Sequence, residues 1–152
     1  MARIWRTVPP MAPEADRADL VEVFKAARRL ELKRRGRTIR AYRVALGFAP
    51  EGHKEREGDG RTPEGRYAID GRNARSAFHL SLRVSYPDPD DRARAAAKGM
   101  PPGGDIFIHG LPNGLRKFFV RHPRRDWTVG CVAVTDREIR GSGHWCRPAR
   151  PS

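Results

Sequence analysis

The sequence has few cysteines and no long apolar run, and both absences narrow its class. Only two cysteines occur in 152 residues, without a CxxC pair or regular Cys/His spacing, which disfavours a zinc site. They allow one disulfide, but Cys146 lies in a tail with little apolar content. No run approaches the roughly 20 apolar residues that cross a bilayer. The N-terminus carries charge but no apolar segment of about 7–15 residues, so we expect no signal peptide.

Nucleotide-binding signatures are also missing, and lysine is scarce. Neither GxGxxG nor GxxxxGK[ST] occurs, so the sequence gives no indication of a loop that binds nucleotide phosphates. Of the 31 basic residues 26 are Arg and 5 are Lys, and the net charge of +13 is scattered over the whole chain. This charge suits an acidic polymer such as nucleic acid, anionic glycan or a phospholipid surface, and it equally suits a solvated basic surface.

Apolar and polar residues alternate with a period near two in several segments, as in half-buried strands. Gly/Pro-rich turns separate these segments, whereas a doubly wound sheet would have crossover helices there. Gly36 offers a hairpin turn, which predicts an antiparallel meander at the N-terminal end. Strands are predicted over residues 20–24, 29–33, 38–46, 66–70, 78–86 and 106–108, with a turn at 71–74.

Two short helices complete a mainly β domain. One is predicted over residues 88–98, and a second begins at Asp136 with Thr135 as its cap and Glu138 at the capping-box position. Five glycines and two prolines predict a long ordered loop over residues 47–65. We therefore expect an irregular lead-in (1–17), one catalytic or binding domain (18–140) and a loose tail (141–152).

The stretch 105–139 contains the residues best suited to chemistry. A strand-like run ends at His109 and Gly110, and a tight turn over 128–131 enters a second apolar run. A histidine and a cysteine become a base–nucleophile pair if the fold brings them together, forming a thiolate–imidazolium pair. The Gly110 carbonyl is the expected partner of the His109 ring N–H. Alternatively, Cys131 is a buried and unreactive residue, and His109 is a polar residue whose hydrogen bonds serve only the structure.

Three segments, GRTPEGRYAID (60–70), GGDIFIHGLPN (103–113) and DWTVGCVAVTDREI (126–139), resemble the L,D-transpeptidase catalytic domain of the YkuD type. Within it they look closest to the YafK-like murein transpeptidase branch, and the likeness covers about residues 18–140. His109 matches the family's first His, and Thr128, Gly130 and Cys131 match its [Ser/Thr]-His-Gly-Cys motif. Val129 stands where most members have a second His. The resemblance implies an L,D-transpeptidase-type β-sandwich.

The resemblance also implies peptidoglycan chemistry without a cofactor or a metal. Cys131 would attack the L-centre carbonyl of a stem tetrapeptide and expel the terminal D-residue, leaving a thioester. A diaminopimelate amine, a lysine of a murein-linked lipoprotein or water would then take the acyl group, so transfer and hydrolysis both stay open. We expect a monomer in the periplasm or cell envelope, with no transmembrane segment and no nucleic-acid partner. Delivery as a toxin is an alternative setting.

Residues around this pair are candidates for substrate contact. Backbone N–H groups at Gly130 and Cys131 suit an oxyanion, and Thr128 suits either that site or plain turn stabilisation. The basic excursion 116–125 offers Arg121 and Arg125 to substrate carboxylates, or forms a solvated rim. The remaining candidates are His79 and Trp127. The competing hypothesis is a non-enzymatic basic module for nucleic acid or anionic glycan, although the aromatics form no stacking platform.

Overall fold

The computed structural model describes residues 13, 16–76, 79–115 and 120–145. These residues form a mainly β fold of two sheets with two short helices, which confirms the expected fold class. The strands in this part of the chain are β1 (Leu20–Phe24), β2 (Arg29–Arg34), β3 (Arg37–Arg43), β4 (Ile69–Ser76), β5 (His79–Val84), β6 (Phe107–His109) and β7 (Val132–Ala133). The helices are α1 (Pro89–Ala97) and α2 (Asp136–Trp145).

The first sheet is the predicted antiparallel meander, in the order β1-β2-β3. Arg35 and Gly36 join β2 to β3 and have φ of 48° and 77°, as a two-residue type I′ hairpin turn requires. The chain then runs through residues 44–46, all of which are fully buried. Ala45 forms an antiparallel bridge with Ala133, which ties the first sheet to the second.

The second sheet has the order β4-β5-β6-β7, and β6 and β7 are parallel. The predicted strand at 66–70 and turn at 71–74 are wrong, because the chain is extended from Ile69 through Ser76. β4 lies at the sheet edge, where a strand needs hydrogen bonds on one side alone. Pairing with β5 therefore outweighs the low strand propensity of its polar residues, at the cost of two register shifts.

Both sheets and α2 contribute to one hydrophobic core. Its buried members are Leu30, Leu32, Val44, Leu46, Leu80, Leu82, Ile108, Val132, Val134 and Ile139. Side chains alternate along a strand, so the burial of Leu82, Ile108 and Val132 turns their sequence neighbours to the opposite face. That opposite face carries His109 and Cys131.

Both helices begin as the sequence predicted. Asp88 caps α1, because its carboxylate accepts from the Asp91 N–H (2.8 Å) while the Asp91 carboxylate accepts from the Asp88 N–H (3.0 Å). At α2, Thr135 Oγ1 accepts from the Glu138 N–H (3.2 Å), and Glu138 Oε1 accepts from the Thr135 N–H (2.9 Å). Each is a reciprocal capping box.

The predicted loose tail begins too early. The helical backbone of α2 continues to Trp145, so residues 141–145 are regular, and residues 146–152 lie outside the described part. The Thr135 cap starts this helix, and Gly141 and Gly143 do not stop it. Most of the expected lead-in, residues 1–12 and 14–15, also lies outside it. Within the described ranges, neither helix has the length and apolarity of a membrane span.

Candidate active site

Residues 128–131 form a tight turn, called here the cysteine turn, that leads directly into β7. The Thr128 hydroxyl donates to the Cys131 carbonyl (2.7 Å) and accepts from the Gly130 N–H (3.2 Å). Gly130 has φ 127°, and a Cβ there would lie 2.7 Å from the Arg61 carbonyl oxygen. Thr128 therefore fixes the turn, while Gly130 is required by both conformation and space.

The chain that links the two sheets holds the cysteine turn in place. The Thr128 N–H donates to the Leu46 carbonyl (3.2 Å), and the Phe48 N–H donates to the Thr128 carbonyl (3.0 Å). Just before the turn, the Asp126 carboxylate accepts from the Arg28 guanidinium (2.8 Å) and from the Leu46 N–H (3.0 Å). The turn is thus fastened to buried backbone on one side.

Cys131 carries a free, partly exposed thiol. Its Sγ accepts a long hydrogen bond from the Phe107 N–H (3.4 Å) and donates to the Asp105 carbonyl (3.5 Å). Asp105 has φ 54°, an unusual conformation for a residue with a side chain, immediately before β6. The backbone entering β6 therefore supplies both polar contacts of the sulfur.

The parallel pairing of β6 with β7 brings the end of β6 alongside the cysteine turn. Ile108 pairs with Val132 and His109 with Ala133, so Cys131 lies one strand over and two residues back from His109. Residues with this offset along paired strands share a face of the sheet. The register therefore favours contact between two residues that the sequence separates by a long excursion.

His109 is oriented by the residue that follows it. Its ring is buried, and Nδ1 lies 2.6 Å from the Gly110 carbonyl oxygen. A carbonyl only accepts, so Nδ1 carries the proton, which is the bond expected from the sequence. Burial lowers the pKa of His109, outweighing the Gly110 bond, which raises it. The ring is thus neutral near pH 7, and its Nε2 is the basic nitrogen.

The thiol is neutral at rest as well. Burial raises the pKa of Cys131, the Phe107 N–H lowers it, the Asp105 carboxylate raises it, and the Lys54 ammonium lowers it. Burial therefore opposes the charged form of each residue taken by itself. The thiolate–imidazolium pair expected from the sequence stays a prediction.

Trp127 lies between two histidines. Its ring centroid is 5.6 Å from that of His109 and 6.5 Å from that of His122, and its Nε1 donates to His122 Nδ1 (3.4 Å). Burial lowers the pKa of His122, so this ring is neutral too. Trp127 thus packs against the predicted base, and His122 lies behind it. The sequence did not indicate this role for His122, because the contact depends on how the loop returns to β6.

Residues 120–125, called here the basic segment, are the described part of the basic excursion. Arg121 and Arg125 are exposed, and with His122, Pro123 and Arg124 they line an open cavity of about 700 Å³. His122 connects this cavity to the Trp127–His109 pair. The structure therefore places both predicted arginines on a rim that adjoins the Trp127–His109 pair.

A second groove, called here the sheet groove, lies next to residues that contact Cys131. It has a volume of about 350 Å³ and is lined by Gly71, Arg72, Asn73, Arg83, Asp105 and Phe107. Two of these, Asp105 and Phe107, provide the polar contacts of Cys131 Sγ. Arg83 pairs with Asp70 at 2.7 Å and stays about half exposed. The sequence did not indicate a connection between Arg83 and Cys131.

Residues 47–65, called here the fixed loop, cover the other flank of the cysteine turn. Lys25 anchors the loop by donating to the carbonyls of Gly52 (2.8 Å) and Thr62 (2.9 Å). Inside it, the Lys54 ammonium and the Asp59 carboxylate form a buried ion pair at 2.9 Å. The loop was predicted to be long and ordered, but Lys54 was not predicted to lie near the site.

Two other predicted positions are less closely connected. His79 opens β5, two residues before Ser81, which pairs with His109; its side chain lies outside the described part. Val129, at the position of the family's second His, is 65% exposed. In the residues that the structure describes, no three potential metal ligands come together.

A family model for the L,D-transpeptidase catalytic domain, YkuD, matches residues 18–150. A Pelodictyon phaeoclathratiforme protein named chorismate synthase is 31% identical over 121 residues, which are 74% of this chain and 29% of that protein. The chain spans less than a third of that relative, so its named activity is not transferred.

Two solved structures are similar to this fold. The structure of Bdellovibrio bacteriovorus Bd1075 has a TM-score of 0.59 at 20% identity, covering 93% of this chain and 48% of that one. The L,D-transpeptidase (residues 123–326) from Xylanimonas cellulosilytica DSM 15894 has a TM-score of 0.46 at 16% identity, covering 84% and 54%. At these identities the first likeness concerns the fold alone. The chain spans about half of each.

Proposed function

Because the chain belongs to the YkuD family of L,D-transpeptidase catalytic domains, we propose that it is a cysteine acyltransferase acting on peptidoglycan stem peptides. Cys131 is the nucleophile and His109 the base. The observation that supports this proposal is the β6–β7 register, in which His109 pairs with Ala133, two residues after Cys131. Residues 18–140 with the rest of α2 form the catalytic unit.

In the first half-reaction, His109 Nε2 takes the Sγ proton as the sulfur attacks the L-centre carbonyl of a stem tetrapeptide. The C–S bond forms, and the carbonyl electrons move onto oxygen. The oxyanion then collapses, the amide C–N bond breaks, and the His109 Nε2–H protonates the departing D-amino acid amine. A thioester on Cys131 remains. This sequence suits a pair that is neutral at rest.

The oxyanion is bound by the Cys131 N–H. Gly130 N–H was the other predicted donor, but it already donates to the Thr128 hydroxyl. Thr128 thus acts by holding the turn, and Gly130 by permitting its conformation. A preorganised donor of this kind supplies about 3–4 kcal/mol of transition-state stabilisation in other acyl-transfer enzymes.

In the second half-reaction, His109 Nε2 takes a proton from the acceptor as that acceptor attacks the thioester carbon. The C–S bond breaks, and the sulfur regains its proton. A diaminopimelate amine gives a crosslink, a lipoprotein lysine gives an anchored protein, and water gives hydrolysis. The YafK-like branch assignment favours lipoprotein–murein chemistry alongside transfer.

The donor stem lies in the sheet groove, which leads to Cys131. The basic segment faces the carboxylates of the stems, with Arg121 and Arg125 as bidentate partners. Trp127 forms a wall of the cleft. Val129 lies at the mouth of the cleft, in the position of the family's second His. His79, at the start of β5, is a further candidate. The enzyme works as a monomer in the periplasm or cell envelope, without cofactor or metal.

Covalent trapping tests the nucleophile. A carbapenem should add its mass to the Cys131 peptide, with no adduct in Cys131→Ala and a rate reduced by at least about a hundredfold in His109→Asn. Defined muropeptides, analysed by mass spectrometry, then identify the broken bond and the acceptor. Equal labelling of Cys131→Ala, or polyanion binding without any acyl chemistry, would instead support a non-enzymatic basic module.

A further inference from the structure

The sheet groove holds charges of both signs in a chain whose net charge is +13. Arg72, Arg83 and Asp105 line it, and Asp70 pairs with Arg83. The formal charges of these four side chains cancel, so the groove does not attract anions by net charge alone. Such a pattern suits a ligand group that itself carries both signs.

Arg83 lies over the edge strand β4. Its Nε donates to Asp70 Oδ1 (2.7 Å), and a Cβ added to Gly71 would lie 3.5 Å from that Nε and 3.8 Å from Cζ. Gly71 therefore provides the space in which the guanidinium rests. Within the described part of the chain, this is the hydrogen bond that the guanidinium makes, and the side chain is 55% exposed. The Nη1/Nη2 edge thus remains for a carboxylate, which it binds bidentately.

Arg83 and Cys131 belong to one row of residues across the second sheet. Gly71 pairs with Arg83, and Arg83 pairs with Phe107. The β6–β7 register continues the row from Phe107 to Cys131, and the Phe107 N–H donates to Cys131 Sγ (3.4 Å). Neighbouring strands are about 4.8 Å apart, so Gly71 and Cys131, three strand spacings from each other, are separated by about 14 Å.

This separation discriminates among the carboxylates of a stem peptide. The sulfur attacks the carbonyl carbon from about 3 Å. The carboxylate of the departing D-residue lies three bonds beyond that carbon, or about 4 Å, which is too short to reach Arg83. The far carboxylate of a diaminopimelate side chain lies six bonds away, or about 7 Å, and comes within ion-pair distance of the guanidinium over β4.

The mixed charge of the groove discriminates further. A stem glutamate carboxylate has a similar reach, but its nitrogen is part of a peptide bond and carries no charge. The far end of diaminopimelate is an α-amino acid group, with an ammonium on the carbon that bears the carboxylate. Asp70 is about one-third exposed, and its Oδ1 contacts Arg83, so its Oδ2 can accept from that ammonium. An ion pair on the protein then matches the opposite charges of the ligand.

We propose that the Arg83–Asp70 pair determines specificity for the donor stem by binding the zwitterionic far end of a diaminopimelate side chain. Arg83 contacts the carboxylate through Nη1 and Nη2, and Asp70 contacts the ammonium through Oδ2. Neither residue exchanges a proton with the reacting groups. The inference rests on the proposed function in taking a murein stem as the donor.

Peptide binding to the Cys131→Ala protein tests the pair without requiring turnover. Calorimetry compares tetrapeptides that contain diaminopimelate, diaminopimelate amidated at its far carboxylate, or lysine, which lacks that carboxylate. The first should bind about 5- to 10-fold more tightly than the other two. Adding Arg83→Gln should remove this difference by weakening the first peptide alone, and Arg83→Lys should recover part of it. Adding Asp70→Asn should weaken the lysine peptide as well, because lysine retains the ammonium.

Arg29→Gln is the matched control, because Arg29 also donates from Nε to a carboxylate, that of Glu31 (2.7 Å), but lies in the first sheet. It should leave all three affinities unchanged. Equal affinities for the three peptides, including no measurable binding of any, would overturn the proposal, as would an equal loss for all three in Arg83→Gln. An Arg83→Gln loss that disappears when the glutamate or the terminal carboxylate is amidated instead would also overturn it, since Arg83 would then bind that group.

Carbapenem labelling of wild-type Cys131 separates this inference from the function, because the label carries no diaminopimelate side chain. Labelling without a difference among the peptides would leave the acyltransferase assignment standing and overturn the role of the pair. The expected differences in binding, without labelling or turnover, would contradict the acyltransferase assignment and leave the binding role of the pair standing.

Discussion

The fixed loop and the basic segment both border the region of Cys131 and His109, yet they differ in whether their positive charges are paired. In the fixed loop Lys54 pairs with Asp59, and their side chains are 3% and 7% exposed. In the basic segment Arg121 and Arg125 are exposed, and within the described part of the chain no ion pair is recorded for either. One flank neutralises its cations internally, while the other presents them to solvent.

The difference separates two uses of charge at one site. An internally paired cation is rigid and acts on neighbouring protein groups, whereas an exposed arginine remains available for a ligand and is screened by salt. Substitutions in the fixed loop should therefore change stability. Substitutions in the basic segment should change substrate affinity.

The largest expected effect comes from Asp59→Ala. This change leaves the Lys54 charge buried without its partner, together with three backbone N–H groups, and should cost about 3–5 kcal/mol of unfolding free energy. Chemical denaturation measures it. Glu55→Ala removes a half-exposed carboxylate from the same loop and should cost less than about 1 kcal/mol. Similar losses in the two variants would mean that the ion pair does not organise the loop.

Acid should weaken the fixed loop selectively. Burial raises the pKa of Asp59, but the hydrogen bond from Lys54 and those from backbone N–H groups lower it from 3.8 to about 2. A lowered pKa stabilises the fold above the unfolded value, and this stability is lost as pH falls from about 4 toward 2. Asp59 should contribute on the order of 2 kcal/mol.

Hydrogen exchange across that pH range should show earlier opening of residues 53–65 than of residues 120–125. If the basic segment opens first, the contrast between the two flanks is wrong.

A smaller effect is expected from the double variant Arg121→Ala/Arg125→Ala. It should raise KM for muropeptides about 3- to 10-fold, as the loss of about 1 kcal/mol of exposed ion pairing requires, and leave kcat and the melting temperature unchanged. The pair Arg37→Ala/Arg43→Ala removes the same charge from β3 and should not change KM. A matching rise in that control would show that net charge alone attracts the substrate.

The smallest expected effect is that of salt on the acid limb of the acylation profile, which is the fall in acylation rate at low pH. Burial is the main cause that lowers the pKa of His109 from 6.5, so the rate should fall only below that pH, as the base becomes protonated. Added salt should leave this limb in place because the ring is buried, although it weakens muropeptide binding at the basic segment. A limb that moves with salt would indicate that exposed arginines control the base.

Local patterns predicted the elements that depend on local chemistry. Alternation located β1 to β3, and the Thr135–Glu138 spacing located the start of α2, because strand faces and helix caps are set by neighbouring residues. The same patterns did not predict β4, because its polar residues form a strand only by pairing with β5. Likewise, α2 continues past Gly141, although glycine there is a weak local signal for the end of a helix.

The motif located the candidate residues His109 and Cys131 but not their surroundings. The position of Cys131 relative to His109 depends on the order of β6 and β7, which local patterns do not give. The Lys54–Asp59 ion pair forms when a loop folds around Asp59, and no spacing rule predicts it. The lowered pKa of His109 follows from burial, which the sequence does not show.

The parallel arrangement of β6 and β7 has a consequence for how this site tolerates change in length. Parallel strands require a crossover connection, so the segment between His109 and Cys131 can gain or lose residues without moving either strand end. Insertion of one residue between Cys131 and Val132 would be different, because a one-residue slip turns side chains to the other face. Spacer length is therefore a poor guide to activity in relatives of this chain, and the phase of Cys131 relative to β7 is a good one.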